Sequence, residues 1–200
     1  SIQKMAEEFM SSGFKVDLIL GETKQGRGGA IWNAMNYVIE KYPGFNRIIE
    51  ADADGSHTVD DIINVRDSHA DVDLLIGSRY LPGSKILGWS NSRRTLSRFL
   101  NYAIPKILKI EVKDITNGLR SYSREAVFIL AQRVQITKGF IYLSEQILYL
   151  DYNGRTIREI PIQFSPRIAG SSSVTLYDLL KSLMGLFRIW KLKKKSGKKK

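Results

Sequence analysis

Over residues 2–77 the chain alternates between helical and extended hydrophobic spacing, and few folds accept that order. Ile2–Met10 has helical periodicity and is stopped by Ser11-Ser12-Gly13. Lys15–Leu20, "KVDLIL", reads as a strand, and "GETKQGRGG" after it as a loop. Ala30–Lys41 places Ile31, Ala34, Met35, Val38 and Ile39 at helical spacing before Tyr42-Pro43-Gly44 ends the run. Arg47–Ala51 reads as a buried strand. Thr58 suits the N-cap of a helix over Val59–Ser68, with Asp60 and Asp61 in its first turn, and Asp73–Gly77 reads as a further strand. This αβαβαβ order with short loops predicts an α/β fold, a parallel, doubly wound sheet with helices on both faces. Such sheets take their ligands outside the carboxyl ends of the strands.

After Tyr80 the alternation stops. "LPGSKILGWSNS" reads as a loop. Arg93–Leu108 reads as an amphipathic helix, with Leu96, Phe99, Leu100, Ala103, Ile104, Ile107 and Leu108 in one broad stripe and Pro105 as a kink. "DITNGLRSYS" reads as a loop and a short strand, Arg124–Ala131 and Leu143–Tyr152 as helices, and Thr156–Phe164 as an alternating strand. A last amphipathic helix is expected over Val174–Leu192, so the chain divides into residues 1–173 and an appendage of residues 174–200.

The net charge of +11 is uneven. The last ten residues, "KLKKKSGKKK", hold seven of the 31 Lys and Arg, and without them the charge falls to +4. Such a tail suits nucleic acid, anionic lipid or plain solubility. With no cysteine, disulfides and thiolate metal sites are excluded. The first residues read as an amphipathic helix rather than a signal peptide. No apolar run approaches the roughly 20 residues of a spanning helix.

Asp52 and Asp54 stand at the end of the apolar run Arg47–Ala51. Carboxylates two apart in an extended segment point the same way and can meet on one hard cation such as Mg²⁺ or Mn²⁺, which leaves its other positions to water and phosphate. Asp and Gly also favour plain turns, and "DAD" alone does not separate the two readings. "KQGRGGA", Lys24 to Ala30, lets backbone approach an anion, with Lys24 and Arg27 adding charge, although it lacks the Walker A pattern. Arg79, Lys85, Arg93, Arg94 and Arg98 form a basic set. Arg79 belongs on the same rim as Asp52, while at least one of Arg93 and Arg94 suits a solvated helix face. The apolar stripes with Trp89, Tyr102, Tyr177, Trp190 and basic neighbours fit a membrane surface as well as a core. Neither His57 nor His69 has a partner set for zinc.

"IIEADADGSH", "DLLIGSRYLPG", "GWSNSRRTLSR", "DITNGLRSYSREAV" and "REIPIQFSPRIAGSSS" occur in that order. Together they resemble the dolichol-phosphate mannose synthase group of the GT-A, family 2 glycosyltransferases, over about Gly21 to Ser173. The resemblance implies a Rossmann-like nucleotide-diphospho-sugar transferase sheet that lacks its opening β–α–β unit, which would expose a sheet edge. It implies Mg²⁺ or Mn²⁺ on Asp52 and Asp54, with Asp54, Arg79 and Arg98 at the reaction. Lys24, Arg27, Asp52, Asp54, Arg79 and Arg167 would serve the donor diphosphate. Arg94, Arg98, Asp114, Asn117 and Arg120 would serve the acceptor phosphate. The lipid phosphate is already ionised, so no general base is needed, and Glu145 takes an orienting role. Ser56 and Ser173 depart from the Gln and Lys common at those places, which weakens metal and phosphate contacts there.

The implied reaction is inverting transfer of mannose from GDP-mannose to a polyprenyl or dolichyl phosphate. It would occur peripherally on the cytoplasmic face of a membrane, with a membrane-anchoring subunit as a further partner. The alternatives are transfer from UDP-glucose or UDP-N-acetylglucosamine, a non-catalytic basic module on nucleic acid or anionic lipid, and a fragment that has lost donor binding. Nucleic acid is disfavoured by the paired acids and by the lack of an RNA-binding aromatic motif.

Overall fold

The computed structural model describes residues 2–21, 26–68, 71–132, 141–166 and 185. Its elements run α1 (Ile2–Ser11), α2 (Gly26–Lys41), β1 (Arg47–Glu50), α3 (Val59–Asp67), β2 (Leu74–Ser78), β3 (Lys85–Ile86) and α4 (Asn91–Leu108). They continue with β4 (Arg120–Ser123), α5 (Arg124–Ala131), α6 (Tyr142–Tyr152), β5 (Ile157–Pro161) and β6 (Gln163–Phe164). The expected helix over Val174–Leu192 and the basic tail fall outside the described residues, except for the single position 185.

Local chemistry fixes several of these boundaries. The Thr58 hydroxyl accepts the Asp61 N–H at 3.1 Å and so caps α3, as expected. Ser90 and Ser123 cap α4 and α5 in the same way. Helix α2 begins at Gly26, earlier than its apolar spacing indicates, so Arg27, Gly28 and Gly29 belong to its first turn and not to a loop.

The main sheet has the order β1-β4-β2-β5. β2 and β5 pair in parallel, with Leu74 opposite Ile157. β4 lies between β1 and β2 and runs antiparallel to both, placing Arg120 opposite Glu50 and Ile76. The expected all-parallel sheet is therefore corrected to a mixed one. The long segment after β2 returns the chain to the same end of the sheet from which it left, so β4 runs backwards. This reversal gathers three connections on one rim: those leaving β1 and β2 and the one entering β4.

The expected strand over Lys15–Leu20 does not form. Residues 14–21 lie outside any strand, and Leu18, Ile19 and Leu20 are exposed. A strand needs a hydrogen-bonding neighbour, and β1 pairs only with β4 among the described residues.

Strand alternation divides the core. Leu74 and Ile76 of β2 join Met35, Ile104, Leu108, Tyr122, Leu130 and Ile147 on one face. Leu75 joins Val65, Val72, Leu119, Ile162 and Phe164 on the other. All five residues of β2 are buried, as a central strand covered on both faces requires.

Candidate active site

The rim is built from the turn after β1, the residue after β2 and the loop that enters β4. In the first, the Asp54 carboxylate accepts the Ser56 N–H at 3.0 Å and closes a turn in which Gly55 has φ +76°. His57 is buried behind this turn. Its Nδ1 accepts the Asp52 N–H, and its Nε2 faces Asn117 Oδ1, each at 3.2 Å. Asn117 in turn donates to the Gly77 carbonyl. The His57 ring also meets Phe164 edge to face at 5.6 Å. One imidazole thus links the ends of β1 and β2, the start of β4, and β6.

The carboxylate of Asp52 is paired. Arg27 reaches from the first turn of α2, and its Nη2 lies 2.6 Å from Asp52 Oδ1 and 3.2 Å from Glu50 Oε1. Glu50 is buried and also accepts the hydroxyls of Tyr122, at 2.8 Å, and Tyr142. Burial followed by the Glu50 charge pushes the Tyr122 and Tyr142 hydroxyls above the usual phenol range, so both remain donors. Burial opposes the Arg27 charge, yet Tyr142, Glu50 and Asp52 outweigh it and raise its pKa above the ordinary value.

After β2, Arg79 turns inward. Its Nε and Nη2 donate to the two oxygens of Asp114, each at 2.7 Å, and its own N–H donates to Oδ2 at 2.9 Å. Nη2 also reaches the Thr116 hydroxyl at 2.6 Å. The guanidinium lies 5.3 Å from the ring centres of both Trp89 and Phe164. Asp114 is fully buried; burial opposes its charge, but Arg79 prevails and holds the carboxyl below the usual range. The loop carrying Asp114 is braced twice. Glu159 of β5 accepts the N–H groups of Lys113 and Asp114, and Asn101 of α4 accepts the Ile115 N–H.

The predicted residues therefore separate into groups. Arg27, Asp52, Asp54, Arg79, Asp114 and Asn117 are joined on one rim through these contacts. Arg120 starts β4 but is fully buried. Its guanidinium donates to the carbonyls of Ile115, Asn117 and Leu143 and to Gln146 Oε1, which places it in the scaffold beneath the loop. Arg94 donates to the Ile86 carbonyl and ties α4 to β3, while Arg98 is exposed. Glu145 is buried at the start of α6. Lys24, Arg167 and Ser173 lie outside the described residues.

Glu50 and His57 are the participants that charge counting passes over. Glu50 precedes Asp52 by two residues, and the period of an extended chain could have marked it. His57 lacks zinc partners, but it sits five residues from Asp52 and needs none for its role here.

The donor set fits a hard divalent cation. Asp52 and Asp54 flank a single residue in the turn after β1 and offer oxygen ligands only, the kind Mg²⁺ and Mn²⁺ prefer. Among the described residues no cluster of three acidic or imidazole groups forms, so water and phosphate oxygens would complete the coordination. The Ser56 hydroxyl beside them is buried and has no hydrogen-bond partner among the described residues.

Residues 1–128 match the family model described as "Glycosyl transferase family 2". The chain is 30% identical over 162 residues to a polyprenol monophosphomannose synthase of Mycolicibacterium smegmatis, covering 80% of this chain and 60% of that protein. It is 31% identical over 154 residues to an undecaprenyl-phosphate mannosyltransferase of Micrococcus luteus, covering 76% of this chain and 62% of that protein. The chain spans about three fifths of the length of these curated relatives.

Proposed function

This chain belongs to glycosyltransferase family 2, and from that premise we propose that it carries the reaction centre of a polyprenyl-phosphate mannosyltransferase. The donor is GDP-mannose and the acceptor a polyprenyl or dolichyl phosphate, bound peripherally at the cytoplasmic face of a membrane. The reading rests on one observation: Asp52 and Asp54 follow the end of β1 on the rim that also holds Arg27 and Arg79. The names of the two relatives supply the choice of sugar and lipid class.

A divalent cation bound by Asp52 and Asp54 would supply charge neutralisation for the departing diphosphate. An acceptor phosphate oxygen attacks the anomeric carbon, the bond from that carbon to the diphosphate breaks, and configuration inverts. The attacking oxygen is already anionic near neutral pH, so the site requires no poised base. Arg27, the part-buried Arg94 and the exposed Arg98 supply positive charge for phosphate. Arg79, held by Asp114, fixes the wall between the rim and the aromatic pair Trp89 and Phe164.

The membrane part of the reading is supported by α4. Leu96, Phe99, Tyr102 and Ile107 are exposed along it, with Arg93, Arg98, Lys106 and Lys109 also exposed. No helix among the described residues is long and apolar enough to cross a membrane.

The test is calorimetric titration of GDP-mannose and of UDP-glucose into the chain, with and without Mn²⁺. Metal-dependent binding of GDP-mannose alone supports the reading. Binding of UDP-glucose alone moves the donor to the UDP sugars. Binding of neither shows that this chain does not hold a complete donor site.

A further inference from the structure

Resting on the reading of Asp52 as a cation ligand, we propose that Arg27 is a built-in counter-ion which a divalent cation must displace from Asp52 before it binds. Nη2 of Arg27 is shared between Asp52 at 2.6 Å and Glu50 at 3.2 Å. Two cations drawn to one carboxylate in a partly buried site repel each other, and Arg27 already occupies Oδ1, so the guanidinium and the metal compete for Asp52.

The seat for Arg27 is shaped to it. A Cβ added at Gly118 would stand 2.0 Å from Nη2 and 2.8 Å from Cζ, so the guanidinium lies directly against the Gly118 backbone. Gly118 has no positive φ, and the missing side chain matters here for space rather than backbone freedom. On the far side, Glu50 has 3% side-chain exposure and keeps its two tyrosine donors. A carboxylate buried so deeply retains its counter-charge when it can. Displacement from Asp52 therefore pivots Arg27 on Glu50 without expelling it. Asp52 exchanges one cation for another while Glu50 stays neutralised.

Arg27 thus sets the concentration at which the metal enters. Removing it opens Asp52 to the metal, and crowding it out from Gly118 does the same without deleting its charge. Free Mn²⁺ is measured by its electron paramagnetic resonance signal as each purified chain is titrated, with no nucleotide present. Arg27→Met and Gly118→Ala are each expected to bind Mn²⁺ about tenfold more tightly than the parent, since a charge-assisted hydrogen bond no longer competes. Adding Asp52→Asn to Arg27→Met should abolish that gain. Gly118→Ala carries the test alone if Arg27→Met does not fold. Mn²⁺ binding no tighter in these variants than in the parent overturns the proposal. If the parent then still loses Mn²⁺ on Asp52→Asn, the metal reading of Asp52 stands by itself. If no chain binds Mn²⁺, both readings fall.

Discussion

The Nδ1 atom of His57 accepts the backbone N–H of Asp52 at 3.2 Å. That contact requires an unprotonated Nδ1, so the ring proton sits on Nε2 and faces the Asn117 oxygen. His57 therefore acts as a positioning residue that fixes the direction in which the Asp52–Asp54 turn presents its carboxylates. His57→Ala leaves the part-buried Asp52 N–H and the buried Asn117 Oδ1 without their partner, a loss of about 1–3 kcal/mol in stability. Metal-dependent donor binding should weaken about tenfold or more for the same reason. His57→Asn places an acceptor near the Nδ1 position, whereas His57→Gln reaches only toward Asn117. Calorimetry should show the Asn variant recovering more donor affinity than the Gln variant. Equal affinities would assign His57 to packing alone.

Arg79 and Asp114 form a forked, buried ion pair with a third hydrogen bond from the Arg79 backbone. Breaking such a pair leaves one charge buried alone, at a cost of about 3–5 kcal/mol. Asp114→Asn should lower the urea midpoint accordingly, and Arg79→Met with Asp114→Leu should recover much of the loss. The pair also sets an acid limit. Arg79 holds the Asp114 carboxyl below its usual value in the folded chain. Its stabilisation is complete above the unfolded carboxylate pKa of about 4 and is lost as pH falls through the lower folded value. Stability of the parent chain should fall steeply below about pH 4, and Asp114→Asn should flatten that limb. A parallel pH profile in both chains would remove Asp114 from the acid transition.

Arg120 invites a different outcome from the surface arginines. All its visible bonds go to protein acceptors: the Ile115 and Asn117 carbonyls in the loop that carries Asp114, and the Leu143 carbonyl and Gln146 Oε1 of α6. Arg120→Met should therefore destabilise the chain by about 3 kcal/mol or more, since several buried acceptors lose their donor together. Where the variant still folds, binding of a short-chain polyprenyl phosphate should weaken less than with Arg98→Met, whose parent side chain is exposed. The reverse order would return Arg120 to the acceptor site.

The contrast between Arg120 and Arg98 shows where sequence reasoning stops. Both are arginines near glycine- or serine-rich connections, and their charge reads alike. Burial separates them, and the burial of Arg120 depends on the reversed strand β4, whose direction no local pattern encodes. Arg47–Ala51 and Lys15–Leu20 make the same point about strands. Each is a short apolar run, but only the first has a hydrogen-bonding neighbour among the described residues. The helices were more legible because their bonds close within the segment. The Thr58 cap, α5, α6 and the body of α2 follow directly from spacing. Asp52 was legible as a carboxylate at a strand end. Its attachment to Arg27, across 25 residues of chain, was not.

Helix α4 divides what looks in sequence like one apolar stripe. Ile104, Pro105 and Leu108 are buried, whereas Leu96, Phe99, Tyr102 and Ile107 are exposed. Packing against the sheet uses only one side of a helix, so the second apolar row needs another partner. Phe99 is 62% exposed and Ile107 47%, so replacing both with Ser removes apolar surface without emptying the core. Stability should therefore change by less than about 0.5 kcal/mol, as at other surface positions. Binding to vesicles containing anionic lipid should fall by about tenfold or more, because each apolar side chain withdrawn from lipid forfeits about 1.5–3 kcal/mol at full burial. Arg98→Gln with Lys106→Gln should weaken the same binding and reduce its dependence on salt, since near the surface each basic residue contributes about 1 kcal/mol. Co-sedimentation at two ionic strengths separates the apolar from the charged contribution. Unchanged sedimentation of the Phe99→Ser, Ile107→Ser chain would show that the outer face of α4 does not meet the membrane.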